Sequence, residues 1–374
     1  MFKRIWSLVI KEFLHLLHDW WMPAFMLFGG VIELLVVGWA TSRPMTNLPL
    51  MVLDQDRSVA SRAVITALEN TGTFALKAYA PDMASVQDAL DRGQINAAVI
   101  IPPNFDNEMA SPTGHPSLAV LLNGAESTPA MAALRAVRGA VGEMGQRITT
   151  RRLGLNPDEF AGFDASLRVW FNEALTEAFY MTPAELGLML EFTVLLFAAL
   201  SFSRERELGT LEQLLVMPFS SLEIIIGKSI PSILVGFSDF LLMLGAVHFV
   251  FGVPVRGSLT LLLILAFGYL LVELSKGLVI SVMSRSQHQA FLLVMMVGMT
   301  DFMFTGYAAP VESMPRVMQI VANVVPAHHW LTILRGILLK GAGLDVLWPN
   351  VLALVVLGLV IGAFSLRYVR RALD

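Results

Sequence analysis

Runs of about twenty predominantly apolar residues recur along this chain, and nothing else constrains its fold as much. A helical run of that length spans about 30 Å, the thickness of a bilayer's hydrocarbon core. Such runs fall at residues 20–40, 183–202, 224–251, 259–283, 289–307 and 346–364. Composition agrees: of 374 residues, 55% are hydrophobic and only 15% charged, a balance soluble domains rarely show. The expectation is an α-helical integral membrane protein with six transmembrane helices. A net charge of −4 is too small to imply a nucleic-acid partner. There are no cysteines, which excludes disulfides, thiolate zinc sites and iron–sulfur clusters.

The chain opens with an amphipathic stretch over residues 1–19. Phe2, Ile5, Trp6, Val9, Phe13, Leu16 and Leu17 recur at helical spacing, with Lys3, Arg4, Lys11, Glu12 and His15 on the other face. That pattern predicts a helix lying in the membrane interface, with Trp6, Trp20 and Trp21 at headgroup level. Residues 20–42 follow as the first span, too long for a signal-peptide core.

From 43 to 180 the composition becomes that of a soluble domain, with 11 Lys/Arg and 15 Asp/Glu. Strands are predicted at 48–53, 73–79, 95–101 and 118–122, and helices from the Asp54–Ser58 turn through Glu69, at 82–91 and at 129–152. Alternation of this kind predicts a small α/β domain inserted between the first two spans. The remainder, 181–374, carries five spans and a proline-broken apolar segment at 309–343. That segment predicts short helices or a re-entrant hairpin shielded by protein. With six spans both termini lie on one side. Ten Lys/Arg fall in the short segments on that side against four on the other, so it is assigned to the cytoplasm and the α/β domain to the outside.

Between the second and third spans, within 203–223, lies a dense polar island, Arg204-Glu205-Arg206-Glu207-Leu208-Gly209-Thr210-Leu211-Glu212-Gln213-Leu214-Leu215-Val216-Met217-Pro218. Charges packed this tightly belong in water. Gly209 offers a swivel, and Thr210 with Gln213 reads as a Thr-x-x-Gln capping box. Leu211, Leu214 and Leu215 then give one apolar stripe on a short helix limited by Pro218. By itself this fits either an ordinary charged loop or a docking surface.

Glu205 to Pro218 also fill the pattern Glu-Arg-Glu-x-Gly-Thr-x-Glu-x-Leu-x-x-x-Pro, eight fixed identities in 14 residues. This resembles the cytoplasmic coupling loop of ABC-2 type transporter permeases. The 94–105 stretch resembles the extracytoplasmic domain of the inner-membrane multidrug and anthracycline-exporter-like subgroup. Residues 310–315, 326–330 and 335–341 are similar to the same family at the matching place. The resemblance is faintest over 155–180. It implies the permease subunit of an ATP-driven exporter in a bacterial inner membrane, moving drugs or other amphipathic compounds outward. It further implies a cytoplasmic ABC ATPase subunit that holds the ATP and Mg, a second permease copy or homologous sibling, and an outward domain that engages a periplasmic adaptor and outer-membrane channel. Glu205, Arg206, Glu207 and Glu212 would then make the charged ATPase contacts, Gly209 the bend with Thr210, and Leu211, Leu214 and Leu215 the apolar seat ahead of Pro218. The N-terminal helix would brace the same surface.

No nucleotide site is expected in the chain itself. Gly227-Lys228-Ser229 spells the end of a P-loop, but Leu222 stands where the first glycine is required. Glu33, Glu191, Asp239, His248, Glu273, Lys276 and Asp301 fall within predicted spans, where charge is costly and marks candidate pathways. Glu273 and Lys276, at i and i+3, can form an internal pair; a place on the transport path is the other reading, shared with Asp239 and Asp301. His328-His329 is at the wrong spacing for a helical metal pair, so packing or capping is the expectation. Gly358-x-x-x-Gly362 permits close helix contact. No nucleophile–base pair is discernible, and no enzyme is expected.

Two other classes fit the composition. A secondary transporter using Asp239, Glu273 or Asp301 as proton carriers should show internal repeats, and none is found. A membrane sensor or scaffold with an outward ligand-binding domain should carry a cytoplasmic signalling domain, yet only ten residues follow Phe364.

Overall fold

A computed structural model describes residues 2–18, 20–42, 45–111, 113–125, 127–152, 171–172, 176–307 and 309–373. The chain divides into two compact units, Pro44–Leu167 and the remainder, Met1–Arg43 with Arg168–Asp374. The expected stretch at 155–180 lies largely outside the described residues.

The chain begins with α1 (Phe2–His18) and α2 (Trp21–Ser42). The Pro44–Leu167 unit follows, with β1 (Leu48–Asp54), α3 (Val59–Asn70), β2 (Phe74–Tyr79), α4 (Met83–Asp91), β3 (Ala97–Ile101), α5 (Phe105–Ala110), β4 (Ala119–Leu122) and α6 (Ser127–Arg152). Its sheet order is β2-β1-β3-β4; the first three strands are parallel, and β4 returns antiparallel. Period-two alternation sorts the strands onto two faces. Leu50, Val52, Val99 and Ile101 pack with Val64, Ile65 and Leu68 of α3. Leu53 and Ala98 pack with Val86 and Ala89 of α4. Ser58 and Asp82 cap α3 and α4 by accepting from the amides of Ser61 and Ser85. Among the described residues, α5 is a helix that sequence patterning does not anticipate, its six residues carrying no full apolar period.

The other unit continues with α7 (Glu177–Glu207), α8 (Leu211–Val216), α9 (Ser221–Phe249), α10 (Leu259–Met283), α11 (Gln287–Phe304), α12 (Arg316–Ala322), α13 (Pro326–Arg335) and α14 (Leu344–Leu373). At its centre is α7, packed by α2, α9, α10, α11 and α13. Residues all round it are buried, from Ala184 and Leu186 to Phe202, as befits a helix that is apolar on every face. By contrast α2 and α14 leave Phe25, Phe28 and Ile32, and Val355, Leu359 and Val360, exposed, the faces that lipid would cover.

Among the described residues, five helices are long and apolar enough to cross a membrane, or six if α12 and the 326–340 segment, bent by 84° at their junction, form one broken span. The expected span at 289–307 is a helix but does not reach that apolarity. Gln287, His288, Gln289 and Asp301 dilute its eighteen residues. The proline-broken segment is helical on both sides of its bend, and Pro326 starts α13 at the first turn, where its missing N–H costs nothing.

Candidate functional site

The polar island emerges from the end of α7 and folds back onto the unit that carries it. Gly209 has φ +70°, the left-handed region a side chain disfavours, and this turns the chain out of α7 and into α8. The expected capping box is not formed. Thr210 precedes α8 without a side-chain cap; its hydroxyl instead donates to the Glu205 carboxylate. A charge-assisted bond to a buried carboxylate outweighs a cap on a six-residue helix. Leu214 is buried and Leu211 half-buried, giving the predicted inward stripe. The side chain of Leu215 lies outside the described residues. Glu212, Gln213, Val216, Met217 and Pro218 face solvent.

Of the four charges expected to face a partner, Glu205 and Arg206 are turned inward, while Glu207 and Glu212 are exposed. Glu205 is only 3% exposed. It accepts from Lys11 of α1 at 2.5 Å and from Lys228 of α9 at 3.3 Å. Lys228 also reaches Glu12 of α1 at 2.7 Å and the Ser201 carbonyl at 3.0 Å. Two ammoniums and two carboxylates thus close a balanced network between α1, α7 and α9. Arg206 donates to the carbonyls of Val282 and Ser284, at 2.9 and 2.6 Å, which lie at the carbonyl-rich C-terminal end of α10. Glu207 is exposed but accepts from the amide of Gln287 at 2.7 Å, the first residue of α11. Arg4 of α1 donates to the Pro218 carbonyl at 2.7 Å. With Lys11 on Glu205, α1 therefore grips both ends of the loop.

The P-loop look-alike has another explanation. Gly227, Lys228 and Ser229 lie inside α9, not in a phosphate-cradling loop. A Cβ on Gly227 would stand 2.7 Å from the Cβ of Leu8, so glycine lets α1 seat against α9. Lys228 supplies the ion network, and the Ser229 hydroxyl donates to the Ile225 carbonyl.

Deeper in the unit, the predicted Glu273–Lys276 pair is present at 2.7 Å and is part of something larger. The Lys276 ammonium also meets Asp301 of α11 at 2.6 Å and Glu191 of α7 at 3.4 Å. Tyr269 donates to Glu191 at 3.1 Å. Acidic oxygens of Glu191, Glu273 and Asp301 come within 4.8 Å of one another, but the ammonium stands among them where a metal ion would have to sit. Asp301, with no partner legible in sequence, finds its partner 25 residues away. Asp239 is fully buried and apart from this cluster; its Oδ2 accepts from Thr193 at 2.7 Å, while Oδ1 has no hydrogen-bond partner. The structure thus brings Glu273, Lys276 and Asp301 together and leaves Asp239 separate. His329 is held between Asn350 and the Asn323 carbonyl, at 3.0 and 2.9 Å, so it packs the bent segment as expected.

Sequence reasoning missed Lys228, Glu12 and Lys11 as parts of the loop's anchorage, and Tyr269 as part of the interior cluster. Lys228 carried a signal, a lone ammonium in an otherwise apolar run, but its partners are 23 and 216 residues away.

Several long apolar helices around a buried polar core, with a loop tied to the amphipathic α1, define a multi-pass membrane protein. Residues 20–367 match the family model described as ABC-2 family transporter protein. The chain is 27% identical over 371 residues to the probable multidrug ABC transporter permease YbhR of Escherichia coli K12, covering 99% of both chains. It is also 27% identical to the inner membrane transport permease YhhJ of that organism, covering 97% of this chain and 95% of that one. A more distant relative, the ABC transporter G family member 20 of Dictyostelium discoideum, is 24% identical over 94% of this chain and 48% of its own length. The chain belongs to the ABC-2 transporter family, and it is the permease subunit of an ABC exporter.

Proposed function

We propose that this permease exports amphipathic compounds from the cytoplasm or inner leaflet, driven by a separate cytoplasmic ATPase that docks on the 205–218 loop. The observation that carries this is the loop's two-sidedness. Leu214 and Glu205 anchor it inward, while Leu208, Val216 and Met217 stand 60%, 87% and 51% exposed around Glu212 and Gln213. Exposed apolar side chains on a charged loop fit a protein partner better than water. Closure of the ATPase on ATP would push on α8, and the spans would shift between two arrangements.

The permease works as a dimer, two copies or one copy with a sibling, in a bacterial inner membrane with both termini cytoplasmic. The Pro44–Leu167 unit faces outward, where it shapes the exit or receives an adaptor leading to an outer-membrane channel. The Lys276 cluster holds three helices together, and Asp239, with its unpartnered oxygen, is the candidate lining the path. The multidrug description of YbhR supports amphipathic drugs as the substrate class.

The test is co-purification in mild detergent from the native membrane, with captured proteins identified by mass spectrometry. A P-loop ATPase should accompany the wild type and be lost with Val216→Asp combined with Met217→Asp. Recovery of no ATPase with the wild type would sink the reading.

A further inference from the structure

We propose that Glu205-Arg206-Glu207 is not the ATPase-binding part of the loop but a positioning element, one that splits the loop's motion among separate helices. Three consecutive residues each leave in a different direction. Glu205 goes to α9 and α1 through Lys228 and Lys11, at 3.3 and 2.5 Å. Arg206 goes to the end of α10, through two carbonyls at 2.6 and 2.9 Å. Glu207 goes to the start of α11, through the Gln287 amide at 2.7 Å. Consecutive residues of a helix point about 100° apart, so a triplet at the end of α7 is suited to reach three neighbours at once.

The chemistry at each contact is matched to its target. Arg206 meets a helix C-terminus, where carbonyls are unsatisfied and the dipole end is negative; Glu207 meets an N-terminus, where the reverse holds. Between them they straddle the Ser284-Arg285-Ser286 turn that joins α10 to α11. Glu205 instead meets two ammoniums, and Lys228 is itself only 2% exposed. Each bond is thus spent inside this subunit. A carboxylate as buried as Glu205 has no face left for a partner. The exposed apolar side chains are others, Leu208 directly after the triplet and Val216 and Met217 at the far end of α8.

The assignment rests on the loop being the coupling loop, and the experiment keeps the two apart. Glu205→Gln, Arg206→Gln and Glu207→Gln are made singly, and each complex is purified and reconstituted for ATP hydrolysis and for ATP-driven uptake of ethidium into inside-out vesicles. The ATPase should co-purify at the wild-type level with all three. Ethidium moved per ATP hydrolysed should fall, by about fivefold or more, a readout that simple loss of folded protein would not move. Glu207 lies exposed, so its variant folds even if Glu205→Gln does not, and Glu207→Asp should restore part of the ratio. Loss of the ATPase from the triplet variants would make these charges docking contacts and overturn the proposal. An unchanged transport-to-hydrolysis ratio in Glu207→Gln and Arg206→Gln would overturn it equally. If the wild type itself captures no ATPase, the coupling loop is not one, and the proposal falls with it.

Discussion

Two buried ionic groups in this permease are built on different arithmetic. At the loop, Lys11 and Lys228 face Glu12 and Glu205, two cations against two anions. Among α7, α10 and α11, Lys276 alone faces Glu191, Glu273 and Asp301. The first group is neutral as built and lies near water: Lys11 is 36% exposed at its side chain and Glu12 15%. Its partners reach in from a surface helix, so its work is to fasten α1 and the loop together. The second group is more deeply set: Glu191 and Glu273 are fully inaccessible, while the side chains of Lys276 and Asp301 keep 14% and 12% exposure. Among the described residues its single ammonium is the cation that all three carboxylates share, with Tyr269 as a further donor to Glu191. The difference separates a seam that can be rebuilt piece by piece from a lock with one bolt.

The sharpest way to break that contrast is to remove each ammonium. Lys276→Met strands three buried carboxylates, and losing one partner of a buried ionic group costs about 3–5 kcal/mol. The purified permease should melt well below wild type, or fail to accumulate. Adding Glu191→Gln, Glu273→Gln and Asp301→Asn should return most of the loss, because no buried charge is then left unpaired. Lys228→Met should cost less, about 1–3 kcal/mol, since Lys11 still covers Glu205 and Glu12 can turn to water. A larger loss for Lys228→Met than for Lys276→Met would refute the comparison.

A smaller effect tests the seam by shape instead of charge. Gly227→Ala places a methyl group 2.7 Å from Leu8, and overpacking of this kind costs about 1–3 kcal/mol. Leu8→Ala in the same chain should relieve part of it. If Gly227→Ala is harmless alone, α1 does not seat where the structure has it.

The smallest effect lies in the α/β unit. The hydroxyl and amide of Ser85 hold the Asp82 carboxyl below the ordinary carboxylate range. A depressed folded pKa gives stability that is present above the unfolded value, about 3.9, and that is lost as pH falls through the folded one. Asp82→Ala should therefore weaken amide protection at residues 83–86 at neutral pH. That difference from wild type should shrink to nothing once the pH drops below the carboxylate range.

Much of this fold is legible in the sequence because it is written locally. Apolar runs place the long helices, and Ser58 and Asp82 announce α3 and α4 by ordinary capping chemistry. The short helix of the 205–218 loop is marked by Gly209 on one side and Pro218 on the other. What the sequence could not show is partnership across long separations. Glu205 and Arg206 read as surface charges because a dense polar island must reach water somewhere; only the fold reveals that α1, α9 and the α10 terminus take them up first. Thr210 likewise reads as a cap until Glu205 is seen to claim its hydroxyl. The span expected at 289–307 falls on the helix α11, whose Gln287, His288, Gln289 and Asp301 make it less apolar than the other long helices.

The central claim is that ATP, and not an ion gradient, drives this permease, and the buried carboxylates make the alternative worth testing directly. The measurement is ethidium uptake into inside-out vesicles carrying the permease with its co-purified ATPase, with and without ATP, and with the proton gradient collapsed by a protonophore. Uptake that needs ATP and survives the protonophore is the predicted result. Uptake that persists without ATP and vanishes with the gradient would contradict the account.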